Sequence, residues 1–233
     1  ENSVQLEEFK RTYDTEDCIL IPIQLDDNKH SVSDKLSLLY VQMWGGKEFI
    51  LPFNHSETIN LDIKNLYKLS SKHKLYTYDR KRLNHFVKLN NVMDVNLIHY
   101  MNISNPLDLE QIDTTAHNFL NMRYYKKENI NTIVPVMKHL EKCRTISKIL
   151  KDTVEKYNQY VNMSYNDEVL DNLSYIEQNG IHSTEGVVHS EYNIYTATGR
   201  PSNRFGGTNF AALNKKDGSR KQYISRFKNG VLV

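Results

Sequence analysis

The segment Tyr195-Thr-Ala-Thr-Gly-Arg-Pro-Ser-Asn203, followed by Arg204-Phe-Gly-Gly-Thr-Asn209, sets hydroxyls, amides, two guanidiniums and three glycines around a turn with little bulk to bury. Backbone N–H groups and short side chains reach phosphate or sugar only where bulk is absent. Between Gly199 and Lys228 stand Arg200, Arg204, Lys215, Lys216, Arg220, Lys221, Arg226 and Lys228, against one acid, Asp217. A polyanion with regularly spaced phosphates suits such a run, and nucleic acid is the first candidate. A solvated loop is the ordinary reading of a charge run by itself. The glycines and the Thr, Ser and Asn hydrogen-bonders favour contact instead.

The positive charge is local. The whole chain of 233 residues carries 30 Lys+Arg against 28 Asp+Glu, a formal charge of +2, and its first seventeen residues are acidic: Glu1, Glu7, Glu8, Asp14, Glu16 and Asp17. A clustered stripe on a near-neutral chain favours one oriented binding face over diffuse adhesion. A 39% hydrophobic share with 25% charged residues is globular in type, enough for one large or two small domains. No stretch approaches the roughly 20 apolar residues of a membrane span and no secretory pattern opens the chain, so a cytoplasmic protein with no membrane partner is expected. Cys18 and Cys143 lack metal-ligand or disulfide spacing and read as small buried side chains.

The elements that position the basic turn follow from periodicity. Cys18–Leu25, Lys35–Trp44 and Lys47–Phe53 are apolar runs separated by Asp-Asp-Asn and Gly-Gly, which predicts three strands in hairpin order. Ile59–Ser70 predicts a helix, Lys74–Tyr78 a fourth strand, and helices are expected after Asp79 and over Val92–Met101. Asn102-Ile-Ser-Asn-Pro106 is the boundary candidate. Beyond it, Leu107–Tyr175 is helical in pattern. Leu140, Cys143, Ile146, Leu150, Val154, Tyr157 and Val161 trace one long amphipathic helix. Its polar side is basic (Lys138, Lys142, Arg144, Lys148, Lys151, Lys156), which suits a solvated face or a track along phosphates. The final Gly230-Val-Leu-Val233 looks like the opening of a buried strand and suggests part of something larger.

His189-Ser-Glu-Tyr-Asn193 followed by Thr196-Ala-Thr-Gly-Arg-Pro-Ser202 resembles the family A DNA polymerase signature, in which His-Thr-x-Tyr precedes Thr-x-Thr-Gly-Arg-x-Ser. Phage-type members are the most similar. Arg144-Thr-Ile-Ser-Lys148 resembles the Arg-x-x-x-Lys of that family's thumb helix, and Asp217-Gly-Ser-Arg-Lys-Gln-Tyr-Ile224 resembles the Gly-Arg-x-x-Arg-x-x-Phe run before its first catalytic aspartate. Tyr78-Asp79 and Met93-Asp94 resemble the second exonuclease motif and the helix start after it.

The resemblance implies an α/β, RNase H-like mixed sheet with flanking helices, then a mostly helical thumb and the beginning of an α+β palm. The corresponding divisions are 1–103 (exonuclease-like), 104–178 (thumb) and 179–233 (start of palm). It implies contact with primer–template DNA through Arg144, Lys148, Thr198, Gly199, Arg200, Ser202, Asn203, Arg204, Asn209, Arg220 and Lys221. Of the amides in the family's Pro-Asn-Leu-Gln-Asn-Ile-Pro, only Asn209 carries over. Mg²⁺ and the catalytic carboxylates are expected on a C-terminal polymerase part with palm and fingers, so this chain alone should not polymerise. An exonuclease needs Asp-x-Glu on its first strand to hold two metal ions. Ile23-Gln-Leu-Asp-Asp27 lacks that pair, so Asp79 and Asp94 are expected to be vestigial scaffold carboxylates and no metal is expected in this chain. The sharper alternative has Asp26 or Asp27 joining them in a 3′–5′ exonuclease, and another is a non-catalytic, clamp-like DNA-binding module.

Overall fold

The computed structural model describes residues 2–24, 32, 35–55, 59–67, 71–108, 136–157, 164–204, 208–227 and 229. Asp26, Asp27, Val161, the expected strand opening at 231–233 and most of 107–135 lie outside the described residues. Contacts group the chain into two compact units, Glu1–Met163 and Ser164–Val233.

In the first unit the apolar run at 18–24 becomes a buried strand, β1 (Cys18–Gln24). It pairs antiparallel with β2 (Leu36–Met43), which pairs antiparallel with β3 (Glu48–Pro52). The β2–β3 turn uses Gly46 at φ +98°, a backbone conformation that disfavours a side chain. On its other side β1 pairs parallel with β4 (Leu75–Thr77), and β4 parallel with β5 (Val92–Asp94). The order β3-β2-β1-β4-β5, an antiparallel meander joined to two parallel strands, is the RNase H-like mixed sheet that was expected. Pro22 of β1 faces Leu39 of β2, while β4 reaches only as far as Leu20. The missing N–H of Pro22 therefore falls where β1 has overrun its parallel neighbour.

Helices flank the sheet. α1 (Asn2–Tyr13), which the acidic composition of this segment concealed, buries Phe9 and Tyr13 in the core. The helix expected over 59–70 is, within the described residues, only α2 (Lys64–Tyr67), because Leu61 instead donates its N–H to the Pro52 carbonyl of β3 at 2.7 Å and packs against the core. α3 (Arg80–Phe86) links β4 to β5. Val92–Asp94, expected as helix, is strand, since β4 offers its free parallel edge, and the helix α4 (Val95–Ile103) starts one residue later.

The long helix is α5 (Val136–Tyr157). Leu140, Cys143, Ile146, Leu150 and Val154 are buried, and the helix packs on α4, β1 and β2. The segment 104–178 is thus divided between the two units, with α5 lying on the sheet, because its apolar stripe is covered there. Both cysteines are buried, Cys18 on β1 and Cys143 on α5. No helix among the described residues is long and apolar enough to cross a membrane.

The second unit opens with α6 (Ser164–Asn179), which stops at Gly180. Gly180 has φ +66°, and a Cβ there would overlap Val187 and the His189 ring. Two short hairpins follow, β6 (Ile181–Ser183) with β7 (Gly186–Val188), and β8 (Glu191–Asn193) with β9 (Ser202–Arg204). Ile224 donates its N–H to the His182 carbonyl at 3.0 Å, attaching the segment after the 3₁₀ turn Ser219–Gln222 to β6.

Candidate nucleic-acid interface

The β8–β9 hairpin carries the signature residues. Tyr192 faces Asn203 and Asn193 faces Ser202 across the ladder, and the connection between the strands holds Thr196 to Arg200. Gly199 takes φ +70° and donates its N–H to the Thr196 carbonyl at 2.9 Å, while the Thr196 hydroxyl donates to the Arg200 carbonyl at 2.8 Å. Only glycine takes that backbone readily. Thr198, Gly199 and Arg200 are exposed at the bend, whereas Ser202 and Asn203 are half-buried on β9. Arg204 ends β9, and its side chain lies outside the described residues.

Asn209 is exposed at the start of the 3₁₀ turn Phe210–Ala212. Arg220 and Lys221 are both exposed, and Arg220 donates Nε and Nη2 to the Leu213 carbonyl at 3.1 and 2.9 Å. Asp217, the one acid of this run, accepts the Ser219 N–H, which holds its carboxyl below the usual range. The carboxylate stays ionised and exposed, with Oδ1 committed to a local turn.

The other two expected DNA contacts lie on α5 in the first unit. Arg144 grips the carboxylate of Glu48 on β3 in a forked pair, with Nε 2.9 Å from Oε2 and Nη2 on Oε1. That hydrogen bond holds Glu48 below the ordinary carboxylate range. Lys151 donates to the Trp44 carbonyl at 2.9 Å and lies over the Trp44 ring. Two cations of the basic face therefore bind α5 to the sheet, while Lys148 is exposed.

Asp79 and Asp94 stand at the ends of β4 and β5, and each caps a helix. Asp79 accepts the Arg82 N–H at 3.0 Å. Asp94 is fully buried and accepts Leu97 N–H on Oδ1 and Arg80 N–H on Oδ2, both at 2.8 Å. Burial, then the neighbouring Asp79, raises the Asp94 carboxyl against these two N–H groups. Both Asp94 oxygens are thus turned into backbone donors, and β1 beside them presents no carboxylate along Cys18–Gln24. The pair as it stands does not fit a two-cation site, and among the described residues no three His, Cys, Asp or Glu converge on a point that could hold a metal.

No protein-family model matches this chain, and no curated protein does. Among solved structures it is similar to the catalytic core of RRP6 from Trypanosoma brucei, at 14% identity and a TM-score of 0.45, over 74% of this chain. It spans about half (49%) of that RRP6 chain. It is also similar to the Nibbler EXO domain of Aedes aegypti, at 10% identity and a TM-score of 0.40, over 73% of this chain and 89% of that one.

Two residues escaped the motif reading. Glu48 gave no signal, because its role is to meet a residue 96 positions away. Glu177 sits inside a helical pattern as an ordinary acid, yet it is fully buried and accepts the Tyr192 N–H at 2.7 Å. Its carbonyl oxygen lies 3.0 Å from His189 Nδ1, so two residues of the signature are tied to one turn of α6.

Proposed function

We propose that this chain binds primer–template DNA as part of a family A DNA polymerase of phage type, with its exonuclease-like sheet serving as a scaffold. The observation that carries the reading is the exposed Thr198-Gly199-Arg200 bend on a short hairpin, in a segment whose single acid is already engaged. The minor groove offers acceptors common to every correct base pair. An arginine on an exposed bend can sense correct pairing at the primer end there without reading sequence. Lys148, Lys221 and Asn209 add exposed phosphate or sugar donors. The carboxylates that hold two Mg²⁺ ions for phosphoryl transfer belong, in this reading, to a C-terminal polymerase part with palm and fingers.

Arg200→Ala should lower primer extension by the assembled polymerase about a hundredfold while leaving duplex affinity nearly unchanged. Equal losses in extension and affinity would refute a primer-terminus role.

A second reading, 3′–5′ exonuclease, draws on the adjacency of Asp79 and Asp94 at the ends of two parallel strands. It requires Asp26 or Asp27 to complete the site. On the scaffold reading, single-stranded DNA incubated with the chain and Mg²⁺ or Mn²⁺ stays intact. Stepwise loss of 3′ nucleotides, abolished by Asp79→Ala, would establish the nuclease instead.

A further inference from the structure

A hairpin of two three-residue strands has little stability of its own, so the position of its bend depends on what holds it from outside. β9 holds one edge of β8. On the other side Tyr192, the middle residue of β8, gives its N–H to Glu177 Oε1 at 2.7 Å, and His189, just before the strand, meets the carbonyl of the same residue. Ser190, between them, donates its hydroxyl to the Thr208 carbonyl at 2.9 Å, beyond the far end of β9. Glu177 is fully buried, and taking a carboxylate out of water costs several kcal/mol unless its hydrogen bonds are made. Gly180, where a Cβ would strike Val187 and His189, lets the chain turn back tightly enough for this contact.

We propose that Glu177 is a positioning residue: its hydrogen bond to the Tyr192 N–H holds the hairpin so that the Thr198–Arg200 bend meets the primer terminus. This rests on the primer-terminus reading of that bend. Glu177 touches no DNA. It acts through β8, which couples the end of α6 to the presentation of Arg200.

The test uses this chain bound to a primer–template whose primer ends in 2-aminopurine, with fluorescence reporting contact at the terminus and anisotropy reporting duplex affinity. Glu177→Met, which removes the acceptor, should reduce the fluorescence response about tenfold with affinity held within about twofold. Glu177→Gln keeps an acceptor oxygen and should restore the response. In an Arg200→Ala background, Glu177→Met should have no further effect. Parallel loss of response and affinity in Glu177→Met would overturn the proposal, and so would a Gln variant as impaired as Met or an additive double variant. Amide exchange separates failure of the anchor from failure of the site. If Arg200→Ala leaves the response intact, the primer-terminus reading fails; faster exchange at Tyr192 in Glu177→Met, with α6 still protected, would then uphold the anchor, and unchanged exchange would sink it.

Discussion

Asp94 shows how one carboxyl serves as a joint in the fold. Its two oxygens take N–H groups from Arg80 and Leu97, joining the start of α3 to the start of α4. Burial and Asp79 raise its pKa to about 7, with Arg80 opposing the shift. An unfolded aspartate titrates near pH 3.9, so the folded chain binds the proton more tightly. The stability this gives is complete below that value and disappears as pH rises through about 7. Thermal unfolding should therefore fall by on the order of 5 °C across that interval, and Asp94→Asn should flatten the decline. A melting temperature that climbs through the same interval in the native chain, and equally in the variant, would mean the carboxyl is ionised when folded. The pair Glu48 and Arg144 has the opposite sign: Glu48 is lowered, so its contribution is present above the unfolded value and vanishes in acid.

At the level of elements, α5 decides what the basic helix is for. Its apolar side, spaced three and four residues apart, was legible in the sequence. What it packs on was not, because periodicity marks a buried face without naming the surface that covers it. Arg144 and Lys151 were ambiguous for the same reason, since a cation that pairs with a distant carboxylate or lies over an indole looks like any solvated cation in a one-dimensional pattern. Ile146, fully buried where α5 meets the sheet, supplies the check. Ile146→Ala should cost about 2–5 kcal/mol in urea unfolding of the chain. A loss below about 1 kcal/mol would mean the helix is loosely attached. Val92–Asp94 was misread for a related reason, as three residues beside a helical pattern become strand only because β4 offers a parallel edge.

Over the whole molecule, three apolar runs in hairpin order followed by helix and strand in turn made the mixed sheet legible. The pairing of β1 with β4 was not, because parallel pairing joins segments far apart in the chain. The exposed Gly199–Arg200 bend was legible as a motif, whereas its attachment through Glu177 needed coordinates. One feature of β1 bears on how far the parallel pairing can run. Where β1 outruns β4, continuing the parallel ladder would call on the amide hydrogen of residue 22. Pro22 occupies that overhang and has no amide hydrogen to offer. A residue that looks out of place in the middle of a sheet thus sits where the ladder asks no hydrogen bond of it.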